Sequence, residues 1–148
     1  LKAGQLVDRV GAMLGLPFPA GPELDRLAAG SAAEFRIRPS LEGCSCHLSG
    51  AENQCRAMAE KGAAPADTAR FCLLHIKAAL CGMTDRLREQ YGELPLVFAG
   101  GVMSNSLLRA DLTARYSAHF APPSYSADNA MGVAYLAARI AKRRSTHG

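Results

Sequence analysis

The stretch LPLVFAGG, residues 94–101, decides the fold class of this 148-residue chain. Residues 94–99 form a continuous apolar run of strand length, which is typical of a strand with both faces of its sheet covered. Gly100 and Gly101 end the run, and the pattern then predicts a helix that starts near Ser104 or Asn105. Strands that alternate with helices indicate an α/β layer structure.

The sequence on both sides of this stretch is mostly helical in its pattern. Apolar residues recur every three or four positions over residues 67–91, which predicts the longest helix. Residues 35–49 instead alternate apolar and polar side chains, which predicts a hairpin of two strands with its turn at residues 39–43. The further predicted elements are helices at residues 4–14, 21–30 and 51–60, a short extended segment at residues 119–121, and a last helix from Asp128 or Asn129.

Length and composition are those of one ordinary globular domain. With 49% hydrophobic and 20% charged residues, the chain is long enough to bury a core. No apolar run approaches the ~20 residues that cross a bilayer, and no signal-peptide pattern is present, so we expect a cytoplasmic protein without a membrane partner. The net charge of +4 permits contact with nucleic acid without requiring it.

The cysteines favour reduced thiols. Their number, five, is odd, and their spacing is not that of a metal site. Cys44 and Cys46 are predicted to share one face of the second hairpin strand, where a transient disulfide or metal contact is the alternative. Cys72 lies among apolar residues of the longest predicted helix, which indicates a core position.

Three short segments suit binding chemistry, and each also has a purely structural interpretation. Gly100-Gly101 would let the backbone approach a phosphate, although a strand-to-helix turn needs glycine for conformational reasons too. Asn105 suits a ribose hydroxyl or a base edge, but capping the helix is the favoured interpretation. Asp128 is either a helix cap or one oxygen ligand of a metal. No histidine pair has ligand spacing and no nucleophile stands beside a base, so the catalytic residues stay unassigned.

Four blocks in chain order carry a resemblance to a known family. Residues 4–25 resemble the family stretch G-E-A-x-D-K, followed by L-G-L-x-Y-P-G-G-P-x-x-D, and Ser49-Gly50 resembles the start of S-G-L-K. Residues 99–109 resemble A-G-G-V-x-x-N-x-x-L-R, and residues 127–131 resemble T-D-N-A-A-M. The family is that of the threonylcarbamoyl transferases that modify tRNA, long labelled O-sialoglycoprotein endopeptidases.

This resemblance implies the C-terminal half of an actin/Hsp70/sugar-kinase-like (RNase H-like) fold, with a mixed sheet and packed helices. Residues 1–65 would form a helical and hairpin insert region, and residues 66–148 the nucleotide-binding α/β core of a single domain. The implied activity is transfer of a threonylcarbamoyl group from threonylcarbamoyl-AMP to a tRNA adenosine beside the anticodon. The implied cofactor is a divalent metal, iron or zinc, and partner proteins are required.

The resemblance also assigns site residues, position by position. Four residues match family positions that bind the adenylate or nucleoside: Asp8, Gly21, Asp25 and Asn105. Gly100 and Gly101 match the phosphate-facing loop, and Asp128 matches the one metal ligand from this half of the fold.

Several departures from the family pattern concern catalysis. The metal-ligating histidine pair and the Ser-Gly-Gly-His loop do not occur here, Ala20 replaces a glycine, and Glu52 replaces a lysine and reverses a charge near the nucleotide. We therefore expect a domain that binds an adenylate but is incomplete for catalysis on its own. The alternative is a non-catalytic paralogue that acts as a protein-interaction module. The sequence has no His-Glu-x-x-His motif, so the old endopeptidase label has no support. Self-association is expected, because half of a two-lobed fold exposes an apolar cleft wall.

Overall fold

The structure is a computed structural model, and it describes residues 1–122. Within these residues the chain forms five α-helices, one 3-10 helix and four short strands. The bounds in chain order are α1 Ala3–Met13, α2 Gly21–Ala29, β1 Ser40–Glu42, β2 Ser45–His47, α3 Ser49–Glu60, α4 Pro65–Tyr91, β3 Leu96–Phe98, the 3-10 helix Gly101–Ser104, α5 Ser106–Arg115 and β4 Ala118–Phe120.

The first two helices form where the sequence predicts them. Helix α1 buries Leu6, Val7 and Val10 on one face, which matches its apolar spacing. Gly15 follows it with a φ of 73°, a left-handed conformation that stops the helix. Helix α2 begins at Gly21, and the proline after it lacks only an N–H that would be unpaired at a helix start.

The hairpin is shorter than predicted and lies further along the chain. Strands β1 and β2 pair antiparallel, with Leu41 opposite Cys46. Residues 35–39 are outside any strand although their exposure alternates, because no neighbouring strand pairs with them. The predicted strand from Phe35 is therefore wrong, and so is the predicted turn at residues 39–43. Cys44 lies in the turn between β1 and β2, so it does not share a strand face with Cys46.

Helix α4 is the central element of the described chain. It is 27 residues long and buries Phe71, Cys72 and Ile76, so the core position predicted for Cys72 is confirmed. Helices α1, α2 and α3 all pack against it. Gly92 ends it in a left-handed conformation with a φ of 76°. All five cysteines of the chain are free thiols.

Strands β3 and β4 form a parallel pair connected by the 3-10 helix and α5. Phe98 and Phe120 lie opposite each other in the register, and their rings stack at 5.4 Å. The run around Val97 is a strand, as predicted, but the prediction that both of its faces are covered is wrong. Val97 is 69% exposed and Leu94 is 56% exposed, because within residues 1–122 this pair packs through only one face.

One hydrophobic core joins the helices to the strand pair. It runs from Leu6 on α1 through Ile76 on α4 to Leu112 on α5, with Leu96 and Phe98 packed against it. The core spans the predicted boundary between residues 65 and 66. No helix among the described residues combines the length and apolar character needed to cross a membrane.

Candidate nucleotide site

Asp8 and Gly21 are brought together by the loop between α1 and α2. The half-buried Asp8 accepts a hydrogen bond at Oδ1 from the backbone N–H of Ala20, at 3.0 Å. Ala20 is 1% exposed and lies directly against α1, since a Cβ placed on Gly11 would be only 2.2 Å from the Ala20 Cβ. The first residue of α2, Gly21, is therefore fixed beside Asp8.

Asp25 connects α2 to the start of α5. Its carboxylate accepts two hydrogen bonds from Ser106, one from the backbone N–H at 3.0 Å and one from the hydroxyl at 3.1 Å. A carboxylate at a helix N-terminus pairs with unbonded N–H groups and with the positive end of the helix dipole. Asp25 thus supplies the negative charge at this helix start, and a ligand phosphate there would compete with it.

Asn105 is the N-cap of α5. Its side-chain oxygen accepts a hydrogen bond from the backbone N–H of Leu108 at 3.0 Å, so the capping interpretation is confirmed. The side-chain nitrogen of Asn105 has no hydrogen-bond partner within residues 1–122. Capping therefore uses only the oxygen end of the amide.

The Gly100-Gly101 turn adopts a conformation that requires glycine. Gly100 has a φ of 111° and a ψ of 154°, a region that other residues rarely adopt. The predicted helix start near Ser104 or Asn105 is confirmed, because α5 begins at Ser106 with Asn105 as its N-cap. The 3-10 helix Gly101–Ser104, which was not predicted, lies between the turn and α5. Val102 in the 3-10 helix packs on α1, with its Cγ2 3.9 Å from the position of a Cβ on Gly4.

These contacts close into a ring. Asp8 contacts Ala20 beside Gly21, Asp25 contacts Ser106 beside Asn105, and the 3-10 helix that begins at Gly101 returns to Gly4. Within each helix the two positions involved are four residues apart, Gly4 with Asp8 and Gly21 with Asp25, so they share a face. Asp128 lies outside the described residues. The other residues expected in the site are on this ring, except Gly100, which directly precedes the 3-10 helix.

Three contributors to the ring were not predicted from the sequence. They are Gly11 and the backbone N–H of Ala20, which fix the loop, and Ser106, which binds Asp25. A serine directly after a capping asparagine is a usable signal, because hydroxyl residues are common in the first positions of helices. The close packing of Gly11 on Ala20 could not be predicted in this way, because no local sequence pattern indicates it.

Glu52 does not bring an unbalanced negative charge. On α3 it forms ion pairs with Arg9 of α1 at 2.9 Å and with Arg56 at 3.4 Å, and its side chain is 14% exposed. The expected reversal of charge is therefore neutralised by two guanidinium groups. The pair with Arg9 also ties α1 to α3 at the residue next to Asp8.

A second polar cluster holds the far end of α5 on α4. The buried Tyr116 hydroxyl lies 2.6 Å from Asp85 Oδ1 and 3.1 Å from the carbonyl of Cys81. Burial and the neighbouring Asp85 carboxylate raise the pKa of Tyr116 well above its ordinary value, so this hydroxyl stays a donor. Lys77 pairs with Asp111 at 2.5 Å across the same two helices. Both ends of α5 are consequently fixed.

No metal centre forms within residues 1–122, where no three histidine, cysteine, aspartate or glutamate side chains converge. Asp128, the predicted ligand, is in the sequence beyond that range. The described residues therefore do not form a metal site by themselves.

Comparison with known proteins supports the resemblance. The family model described as tRNA N6-adenosine threonylcarbamoyltransferase matches residues 2–135. The chain belongs to this family. Relatives that carry this name include the protein of Bradyrhizobium diazoefficiens, 34% identical over 91% of this chain and 43% of its own length, and that of Nitrobacter winogradskyi, 36% identical over the same shares. The Thermus thermophilus protein is 33% identical over 95% of this chain and 45% of its own length.

Membership of the threonylcarbamoyltransferase family agrees with the α/β architecture of helices around short strands. The chain spans less than half the length of these relatives. The family match includes every residue of the ring and also Asp128. It ends at residue 135, before the basic residues near the C-terminal end.

Proposed function

We propose that this chain is the adenylate-binding C-terminal portion of a threonylcarbamoyl transferase that acts on a tRNA adenosine, built on an actin-like fold. The observation that carries the proposal is the ring of contacts that gathers Asp8, Gly21, Asp25, Gly101 and Asn105. These positions are far apart in the sequence, and the family resemblance assigns each of them to the nucleotide. Their meeting at one place supports a single ligand site.

Each group on the ring has a role that its free atoms suggest. Oδ2 of Asp8 makes no hydrogen bond within residues 1–122, so it is an acceptor for a ribose hydroxyl. The amide nitrogen of Asn105 is a donor for a base edge or a ribose oxygen. The glycine turn at Gly100 admits an anion close to the backbone. Asp25 uses both carboxylate oxygens on Ser106, so its role is to position Asn105.

The proposed site binds and orients the adenylate, and the remaining chemistry comes from outside residues 1–122. In the proposal, Asp128 would be one ligand of a divalent metal, iron or zinc, whose other ligands would come from outside residues 1–122, and the metal would supply Lewis-acid chemistry. Partner proteins and tRNA complete the reaction. The chain by itself therefore binds nucleotide without turnover.

Isothermal titration of the chain with AMP and ADP tests the site. Asn105→Asp keeps an oxygen for the Leu108 N–H but removes the amide donor, so we expect at least a tenfold weaker affinity with no loss of stability. Asp8→Asn keeps an oxygen for Ala20 and lowers affinity by removing the anionic acceptor. Asn53→Ala, an exposed asparagine on α3, is the matched control and should leave affinity unchanged.

The proposal fails if the chain binds neither nucleotide, or if Asn105→Asp and Asp8→Asn both bind as tightly as the unmodified chain. A weaker affinity that is accompanied by a lower melting temperature would indicate damage to the fold instead. Circular dichroism melts of the same samples separate these two results.

A second candidate function, an interaction module that pairs with a related subunit, rests on one surface. Tyr91, Leu94 and Val97 are 60%, 56% and 69% exposed around the end of α4 and the start of β3. Clustered exposed apolar side chains mark partner surfaces. Under either function we propose that this surface self-associates in the isolated chain or covers a partner, and light scattering during size-exclusion chromatography measures which of the two occurs.

A further inference from the structure

Phe18 is the most exposed large hydrophobic residue among residues 1–122. It is 84% exposed. The chain has five phenylalanines, all within the described residues, and the other four are in the core or packed against it: Phe35, Phe71, Phe98 and Phe120. Burying a phenylalanine stabilises a protein by about 1.5–3 kcal/mol, and within residues 1–122 Phe18 contributes little of this.

The turn that carries Phe18 is held on both sides. The backbone N–H of Leu16 donates to the carbonyl of Gly11 at 2.9 Å, and Ala20 is held by Asp8 and by close contact with Gly11. Pro17 and Pro19 flank Phe18 and fix their own φ angles. The Phe18 side chain is therefore attached to a restrained backbone, which lowers the entropy cost of placing the phenyl group against a ligand.

Phe18 also lies beside the proposed site. It is three residues before Gly21, so the two Cα atoms are at most about 11 Å apart. The turn beside Asp8 has an exposed apolar tip, which consists of Pro17, Phe18 and Pro19. An apolar tip beside polar groups that suit ribose and phosphate is the combination that a nucleoside base requires.

We propose that Phe18 is a stacking platform for an unpaired base of the RNA substrate next to the adenylate site. This inference rests on the proposed function, because the transferred group has to reach the N6 amine of an adenosine. An enzyme that modifies a base takes it out of its stack, and RNA-binding proteins replace the lost stacking with aromatic side chains. Phe18 supplies an exposed aromatic ring at the edge of the site for this purpose.

Binding of a stem–loop RNA tests the platform. The probe carries 2-aminopurine in place of an unpaired loop adenosine, and stacking on the protein changes its fluorescence. Phe18→Ala should weaken RNA binding roughly 5- to 150-fold, the range found when an aromatic stacking partner is removed. Phe18→Tyr keeps a ring and should bind as the unmodified chain does, whereas Phe18→Leu, apolar but not aromatic, should resemble Phe18→Ala.

Two comparisons make the result specific. Leu87→Ala removes another exposed large hydrophobic side chain, 37% exposed on α4, and should leave RNA binding unchanged. AMP affinity should be the same in Phe18→Ala as in the unmodified chain, because the platform faces the RNA and not the adenylate. Loss of AMP affinity in Phe18→Ala would assign the ring to the adenine of the adenylate and would overturn the inference.

The inference is also wrong if the chain does not bind the RNA, or if Phe18→Ala binds it as tightly as the unmodified chain and the Leu87→Ala control do. Its failure is distinct from failure of the proposed function. RNA binding that depends on Phe18 while AMP is not bound contradicts the adenylate site alone, and AMP binding with RNA binding indifferent to Phe18 contradicts the platform alone.

Discussion

Replacing Gly11 with alanine should disturb both stability and the candidate site. Gly11 lies inside α1, and a Cβ there would be 2.2 Å from the Ala20 Cβ. Carbon atoms in contact are normally about 3.5–4.0 Å apart, so the overlap exceeds an ångström. Neither Cβ can rotate away, because both are fixed to backbone. The loop at Ala20 or the helix itself has to move, and the Asp8 hydrogen bond lengthens with it.

The expected magnitude is the difference of opposing effects. Glycine to alanine in a helix interior normally stabilises by about 0.5–1 kcal/mol. Overpacking costs about 1–3 kcal/mol, and weakening a hydrogen bond to a charged acceptor such as Asp8 costs about 1–3 kcal/mol more. We expect Gly11→Ala to lower the free energy of unfolding by about 2–4 kcal/mol. In a chain of this size each kcal/mol lowers the melting temperature by about 2–4 °C.

Urea denaturation followed by circular dichroism measures this loss, and two other glycines calibrate it. A Cβ on Gly82 in α4 would meet the tip of the Leu41 side chain at 2.5 Å, which is able to move, so Gly82→Ala should cost less. A Cβ on Gly50 in α3 meets nothing within 4 Å, so Gly50→Ala should be neutral or slightly stabilising. If Gly11→Ala is as stable as Gly50→Ala and still binds AMP, the close packing of Ala20 on α1 is refuted.

Three further predictions follow from other contacts. Asp25→Ala and Ser106→Ala should each destabilise the chain, and a double-mutant cycle in urea should give a coupling energy of about 1 kcal/mol for the bond between the Ser106 hydroxyl and the Asp25 carboxylate. Additive effects would show that these two side chains do not interact. Burial lowers the pKa of His75, which is 4% exposed. Below the ordinary pKa of 6.5 the unfolded chain therefore binds more protons than the folded chain, so the free energy of unfolding should fall by up to about 1.4 kcal/mol for each pH unit. His75→Leu should reduce this pH dependence in urea titrations between pH 5 and pH 8, and an unchanged dependence would assign it to other groups. Val97→Lys should shift the isolated chain towards monomer in light scattering without changing its melting temperature, and an unchanged oligomer would locate self-association elsewhere.

The helices were predictable because their signals are local. Periodic apolar residues, Gly15, Gly92 and the proline at the start of α2 each act within one or two turns. The strand from Phe35 was predicted wrongly because alternation reports which side chains are buried, not whether a partner strand is present. The exposure of Val97 was missed for a related reason, since an apolar run does not reveal how many layers cover it.

The candidate site was partly predictable, since the resemblance placed its residues but not their roles. Local sequence favoured a cap at Asn105, and the cap is present. Nothing in one sequence relates Asp25 to Ser106, because a contact across 81 positions depends on how α2 and α5 dock. The distinction between Asp8, which keeps a free oxygen, and Asp25, which does not, follows only from tertiary contacts.

The departures from the family pattern have unequal consequences for this site. The glutamate at position 52 looks severe in the sequence, yet it is neutralised by Arg9 and Arg56, and its charge stays within that ion-paired group. The ring is instead closed by backbone N–H groups and by small residues, namely the N–H groups of Ala20 and Ser106 and the close approach at Gly11. Such contacts depend on backbone position, so a charge change on a neighbouring helix face leaves them intact, whereas one added methyl group at Gly11 does not.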